Sequence, residues 1–292
     1  MKEILITGAT GNFGRATINF LLKKGIPAIS ISAFIRDAAK ATDLKSKGVV
    51  LKTGDYDDYS SMVNAFKGTD KLLLISGSDV AKRTIQQMNA VKAAKEAGVK
   101  HIIYTSFQRR NETASSPIAL VAEAHIKTEK WLKESGIEYT IMKNNLYLDG
   151  LPGFIGDKIL ETGVIYQPAG DGKTAYVLRN DMAEAAAHIL ATDGHENKEY
   201  DITSDKAYTY SDIASILSQL TGKTIKYVSP SKEEFIKTLS AAGVPMQYVQ
   251  IFAAFADAIK QGEFDKTSSA LEKLIGRKPT SLEDFLKSIY KR

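Results

Sequence analysis

Residues 4–14 read Ile-Leu-Ile-Thr-Gly-Ala-Thr-Gly-Asn-Phe-Gly. Glycines at 8, 11 and 14 follow a short apolar run, and a helical pattern begins directly after them. A strand, a tight turn and a helix start in succession make an anion site. The first-turn N–H groups of a helix lack carbonyl partners, and its dipole is positive at that end. Glycine is needed where a side chain would hold a diphosphate away from the backbone. The spacing G-x-x-G-x-x-G differs from the dinucleotide fingerprint G-x-G-x-x-G, and close strand–helix packing alone would also ask for glycines. The context favours the phosphate reading: Ala16, Ile18, Phe20, Leu21 and Leu22 recur among polar residues in the helix, and a second strand pattern follows at 28–35. A bound dinucleotide is the implied ligand.

The end of that second strand separates the two nicotinamide dinucleotides. An acidic residue about 20 positions after the glycines binds a free ribose 2′-hydroxyl. Here Arg36 stands 22 residues after Gly14. A guanidinium there pairs with a 2′-phosphate, so NADP(H) is expected over NAD(H). Asp37 falls one residue too late and suits a helix cap, and Lys40 could add charge from the next turn. Asp55, after the third strand, could border the adenine, or Asp55 or Asp57 could cap a helix. Ser76-Gly77-Ser78, after the fourth, offers hydroxyls and a close backbone approach, or simply a turn.

These groups need a scaffold that brings strand ends together. Strand patterns lie near 3–7, 29–35, 49–53, 71–75, 101–105 and 138–142, with helical patterns near 12–24, 38–47, 58–66, 80–97 and 117–135. The alternation predicts an α/β fold: a Rossmann-like, doubly wound parallel sheet with ligands at the strands' C-terminal ends. Runs such as Leu72-Leu73-Leu74-Ile75 suit strands covered on both faces. The pattern loosens after 145. Leu151-Pro152-Gly153 reads as a break and 170–173 as a turn. Arg179–Ala191 reads as a helix with a small apolar face, and 200–202 as a strand. Helices are expected at 210–220, at 232–242 and through most of the chain from Pro245. The expected division is a dinucleotide-binding core over 1–145, rejoined by about 179–203, and a smaller helix-rich C-terminal lobe over 146–292.

With 292 residues, 43% hydrophobic and 25% charged, the chain suits a globular protein with one large α/β unit. No apolar run approaches the roughly 20 residues of a membrane span. A phosphate-loop strand at the third residue argues against a leader peptide. Cysteine is absent, which excludes disulfides and thiol nucleophiles and fits a cytoplasmic protein. The net charge of +5 is scattered, with only short pairs such as Lys23–Lys24 and Arg109–Arg110, so nucleic-acid and membrane partners are not expected. His101, His125, His188 and His195 show no ligand spacing, and no metal is expected.

The ordered motifs T-G-A-T-G-N-F-G (7–14), F-I-R-D (34–37), G-D-Y (54–56), L-L-I-S-G-S (73–78), G-V-K-H-I-I-Y-T-S (98–106), H-I-K-T-E-K (125–130), Y-T-I-M-K-N-N-L-Y (139–147), A-G-D-G-K (169–173) and R-N-D-M-A (179–183) span nearly the whole chain. Together they resemble the NmrA-like branch of the atypical short-chain dehydrogenases/reductases, and within it the bacterial NAD(P)H:quinone oxidoreductases and triphenylmethane dye reductases. The resemblance implies NADP(H) bound by Gly8, Thr10, Gly11, Asn12, Phe13, Gly14 and Arg36. It places Ser76, Gly77, Thr105, Ser106, Lys143 and Asn144 towards the nicotinamide half.

The wider superfamily protonates a carbonyl with a Tyr whose pKa is lowered by a Lys four residues on. With Glu129 and Tyr139-Thr140 setting the register, those positions hold Val121 and His125. A carbonyl alkoxide needs a positioned acid. A quinone yields a delocalised anion and needs less, and a cationic dye needs less still. The expected activity is therefore NADPH-dependent reduction of quinones or similar electron-poor aromatics, by orientation more than by acid catalysis. The alternative is a non-catalytic NADP(H) sensor. His125 is the candidate acid, with a ribose or structural bond as its alternative. Asn144, Asn145 and Tyr147 could orient an acceptor oxygen. Tyr104 is expected to point into the core, and Phe107 and Tyr166 either wall the cleft or pack in the core. A monomer or homodimer is expected.

Overall fold

A strand covered on both faces must be apolar at every position, and the first strand is: Ile4, Leu5 and Ile6 of β1 (Ile4–Ile6) are all buried. The computed structural model describes residues 2–291. Beside β1 run β2 (Ile31–Ile35), β3 (Val50–Thr53), β4 (Lys71–Leu74), β5 (His101–Phe107), β6 (Glu138–Asn144) and β8 (Lys198–Ile202). They form one sheet in the order β3-β2-β1-β4-β5-β6-β8, every neighbouring pair parallel. The expected doubly wound sheet is present. The chain leaves β1 in one direction through β2 and returns to β4 on the other side, so the loops after β1 and β4 diverge and open a crevice.

Helices cover both faces. One face packs α1 (Asn12–Lys23), α8 (Arg179–Ala191) and α12 (Ala270–Ile275) over Ile6, Leu73, Ile103 and Met142. Buried alanines 183, 185, 186 and 187 let α8 lie close to α1. The other face packs α3 (Tyr59–Phe66), α4 (Val80–Glu96) and α5 (Ala119–Ser135) over Leu5, Leu72, Tyr104 and Ile141. A third cluster joins Ile118 to residues between Leu148 and Leu286. It includes Ile165 of β7 (Val164–Tyr166), which pairs in parallel with β9 (Lys226–Val228). Around it stand α9 (Tyr210–Thr221), α10 (Lys232–Ala241), α11 (Met246–Lys260) and α13 (Leu282–Tyr290).

Several local expectations change. Residues 28–30 form a 3₁₀ turn before β2 begins at Ile31. The helix expected at 38–47 is a 3₁₀ turn, Ala38–Ala41, followed by α2 (Thr42–Ser46). Leu151-Pro152-Gly153 does not break the chain. It opens the short helix α6 (Leu151–Ile155), because proline is tolerated in a first turn where its missing N–H is not needed. A second short helix, α7 (Ile159–Thr162), and the β7–β9 pair carry no periodic signal long enough to read. Among the described residues no helix is long and apolar enough to cross a membrane.

The buried aspartate of the R-N-D-M-A motif fastens the C-terminus. Asp181 accepts from Arg277 at 2.6 Å and from the Thr280 N–H at 2.6 Å.

Gly14 sits where α1 meets the turn after β1. A Cβ there would lie 2.5 Å from the Gly8 carbonyl oxygen and 2.7 Å from the Ala9 Cα. Gly14→Ala is expected to cost about 1–3 kcal/mol in urea unfolding. Gly153→Ala, in α6 with open space around it, should shift stability by under about 1 kcal/mol. Equal stability of the two variants would refute the packing role of Gly14.

Candidate functional site

The crevice holds two connected cavities. The first, about 600 Å³, runs over the start of α1 between the ends of β1, β2, β3 and β4. Gly8, Thr10, Gly11, Asn12 and Phe13 line one side, Ser76 and Gly77 another, with Arg36 and Asp55 at its far end. The second, about 390 Å³ and mostly apolar, lies between the end of β5, α5 and the residues that follow β6. Thr105, Ser106, Phe107, Val121, His125 and Asn145 line it, with Phe154 of α6 and Phe255 of α11. Phe13, Ile75, Ser76, Gly77, Ser78 and Tyr147 belong to both walls.

The first cavity is built for an anion. Gly8 turns the chain at φ 58°, and its carbonyl accepts from the Gly11 N–H at 3.0 Å. Gly11 caps α1 without a side-chain bond, and no acidic residue stands in the first turn. The helix therefore presents its free N–H groups and positive end to the cavity. Arg36 is exposed just beyond β2. Asp37 turns away and caps the 3₁₀ turn, accepting from the Ala39 N–H at 2.9 Å. Asp55 bonds the Asp57 N–H at 3.0 Å, while the cap of α3 is Asp58 rather than Asp55 or Asp57. An open helix N-terminus and an exposed guanidinium at the second strand's end suit a diphosphate and a 2′-phosphate. The donor set thus fits NADP(H).

A buried hydrogen-bond network joins the two cavities. The Ser76 N–H donates to Thr105 Oγ1 at 2.9 Å, and Gln87 Nε2 donates to Ser76 Oγ at 2.7 Å. Gln87 Oε1 lies 3.1 Å from the Tyr104 hydroxyl and 2.7 Å from Thr128 Oγ1. The Tyr104 hydroxyl is also 2.8 Å from His125 Nδ1. That leaves Nε2 as the His125 nitrogen for the cavity. Burial, with Arg83 and Arg109 nearby, holds the His125 pKa well below its usual value, so the ring is neutral. Burial pushes the Tyr104 phenol up, so it too is neutral. Phe107 stacks on His125 with ring centroids 5.7 Å apart.

Four candidates from the sequence lie outside both cavities. Gly14 lines neither cavity and serves the packing of α1 on the turn. Lys143 forms an ion pair with Glu199 of β8 at 2.7 Å. Asn144 is buried with no partner for its amide atoms, and its neighbour Asn145 reaches the pocket instead. Tyr166 of β7 stacks on Phe235 of α10. Tyr147 stands between the cavities with the Arg179 guanidinium 4.9 Å from its ring centre.

Other groups were not legible from spacing. Arg83 is buried at the pocket, donating to the Val121 carbonyl at 2.7 Å and towards the Gly77 carbonyl at 3.5 Å. Among the described residues no carboxylate pairs with it. Gln87 lies one turn further along α4, and Tyr104 points inward as expected yet ends on His125. A charged or amide residue on the inner face of a helix was the available signal.

The NmrA-like family model matches residues 1–286. Quinone oxidoreductase 2 of Escherichia coli is 39% identical over 288 residues, covering 98% of each chain. Triphenylmethane reductase of Citrobacter sp. superimposes with a TM-score of 0.90 at 41% identity, covering 99% of this chain and 100% of that one. The crystal structure of the NADPH-dependent quinone oxidoreductase of E. coli with NADPH also gives a TM-score of 0.90, at 37% identity over 98% and 99% of the two chains. The family model covers nearly the whole chain and the relatives match it end to end, so the chain belongs to the NmrA-like family.

Proposed function

We propose that this protein is an NADPH-dependent reductase of quinones and similar electron-poor aromatic acceptors. The carrying observation is that the cleft over α1 opens directly into an aromatic-walled pocket that holds Arg83 and His125 and has no Tyr–Lys dyad. Relatives covering both halves of the chain are named as reductases, which weighs against a silent sensor. In this reading residues 1–145, rejoined by 179–203, bind the cofactor, and 146–292 contribute the acceptor wall.

Bound NADPH supplies a hydride to the acceptor. The α1 N-terminus binds the diphosphate, with Gly8, Thr10, Gly11, Asn12 and Phe13 forming the floor, and Arg36 binds the 2′-phosphate. Asp55 borders the adenine end. Ser76, Gly77 and Thr105 form the wall towards the reacting end. Ser106 is held by Glu129 and supports this wall without carrying charge. Phe107, Phe154 and Phe255 exclude water from the acceptor and hold it flat.

The protein's electrostatics select the acceptor. A quinone gains negative charge as it is reduced, and the fixed Arg83 cation beside the pocket stabilises that charge. The Tyr104 hydroxyl gives its one proton to Gln87 Oε1, so it accepts from His125 Nδ1–H, and Nε2 faces the acceptor as a lone pair. A neutral imidazole is too weak an acid to protonate a hydroquinone oxygen outright. His125 therefore acts as a hydrogen-bond acceptor that holds a water or the forming hydroxyl at the acceptor oxygen, and the proton comes from solvent after hydride arrival. Tyr104 and Gln87 are positioning residues that set the tautomer. A cationic dye gains nothing from Arg83, so the site favours quinones over such dyes.

The direct test is NADPH oxidation with 1,4-benzoquinone, expected well above the uncatalysed rate; binding of NADPH without turnover across a quinone panel would refute the reading. Arg36→Asp should weaken NADPH binding roughly 10- to 100-fold and leave NADH within a few-fold. Equal losses would remove Arg36 from the 2′-phosphate. Arg83→Gln should lower kcat/KM for the quinone and raise the ratio of cationic-dye to quinone turnover. An unchanged ratio would contradict the charge argument. His125 should matter modestly, with His125→Ala lowering turnover about 2- to 10-fold. Because its pKa is depressed, the ring charges only well below pH 6.5, and kcat should be flat from pH 6 to 8. A limb centred near 6.5 that disappears in His125→Ala would make imidazolium the acid.

A further inference from the structure

At the N-terminal ends of the strands, opposite the cleft, three ligand-bearing side chains converge. His101 opens β5, Glu138 opens β6 directly beside it, and Glu196 stands in the loop before β8. Their ligand atoms all lie within 4.8 Å of one another. His101 is 2% exposed, and its Nδ1 is a buried nitrogen with no hydrogen-bond partner. Its tautomer follows from the neighbours. Thr140 Oγ1 donates its one proton to the His195 carbonyl at 2.6 Å. Thr140 Oγ1 must then accept from His101 Nε2–H, 2.8 Å away. Nδ1 is left deprotonated, with its lone pair buried and unanswered.

Such a lone pair is an expensive arrangement without a cation. A buried acceptor without a donor loses its hydration. Among the described residues no Lys or Arg forms an ion pair with Glu138 or Glu196. The nearby cations Lys71 and Lys2 are engaged with Asp193, and Lys71 also with the carbonyls of Ile189 and Thr192. Lys100 pairs with Asp70. The loop carrying Glu196 is held in place. Asn197, at φ 56°, is the one non-glycine residue with positive φ among the described residues, and its N–H donates to the Tyr139 carbonyl at 2.6 Å.

We propose that His101 Nδ1, Glu138 and Glu196 bind a divalent first-row transition ion of the Zn²⁺ type. One imidazole and two carboxylates are ligands that zinc accepts, with water in a fourth position. The Thr140-oriented Nε2–H is the second-shell bond that ligating histidines ordinarily make. The ion lies at the strands' N-terminal ends, away from the acceptor pocket, so its role is structural. It ties the β8 loop to β5 and β6. The parallel register creates the site from positions 101, 138 and 196, which is why histidine spacing in the sequence gave no warning of it.

The test uses the full-length protein freed of metal by chelation. Titration with Zn²⁺ should show one stoichiometric site and a rise in Tm that EDTA reverses. Glu138→Gln and Glu196→Gln, both at the rim, should each weaken Zn²⁺ binding at least about tenfold, and the double variant should lose both the site and the Tm rise while retaining its NADPH oxidation. Crystals soaked in Zn²⁺ should show an anomalous peak within bonding distance of His101 Nδ1. Failure to bind Zn²⁺, full binding by the double variant, or a peak only elsewhere, such as at His188, would overturn the proposal. None of these results depends on whether quinones are the acceptor.

Discussion

The structure depends on how closely α1 can approach the turn that follows β1. Gly14 has no room for a Cβ against the Gly8 carbonyl and Ala9. This contact fixes the angle at which α1 leaves the sheet, and so decides where its unbonded N–H groups point. Thr7 supports the same junction from the sheet side. Its hydroxyl donates to the Leu73 carbonyl and accepts from the Ile75 N–H, which locks the ends of β1 and β4 together just before they part. The crevice is open because the strand order reverses there, and rigid because these bonds hold both of its lips.

The features most legible in the sequence were those set by local geometry and period. Seven parallel strands, the long helices and the Arg179–Ala191 helix follow from apolar runs and 3.6-residue spacing, and they fall within a few residues of expectation. The residues of the glycine turn and the second strand's end were legible because strand termini are fixed by the fold class. Short elements were not. α6 and α7 are single turns whose stability comes from packing on Ile165 and its neighbours rather than from any pattern of their own. Lys143 illustrates a different limit. Its place beside the cleft rested on resemblance, whereas its ion pair with Glu199 depends on β8 joining the sheet next to β6.

Residues that act through others were invisible for a related reason. Gln87 lies in α4 and Tyr104 in β5, so neither announces a link to His125 by spacing. The link exists because α4 and α5 pack side by side over β5 and leave a narrow polar seam within an apolar layer. A glutamine, a threonine, a tyrosine and a histidine in such a seam must satisfy one another, since water does not reach them. The same seam continues to Ser76 and Thr105 on the cavity wall, so the groups presented to a ligand are oriented from behind.

This arrangement also accounts for how the fold does without a tyrosine–lysine pair. A lysine at position 125 would have to remain charged beside Arg83 and Arg109 in a buried setting, and both the desolvation and the like charges oppose that. Histidine fits because it can be neutral there, and its second nitrogen can be tied to Tyr104. Once the lysine is gone, a tyrosine at position 121 would have no cation to lower its pKa, and the apolar Val121 is the better wall for an aromatic ring. Arg83 supplies the positive charge instead, held by two backbone carbonyls rather than by a carboxylate that would cancel it. The pocket therefore keeps a fixed cation but no strong acid, a combination suited to acceptors whose reduced form carries delocalised negative charge.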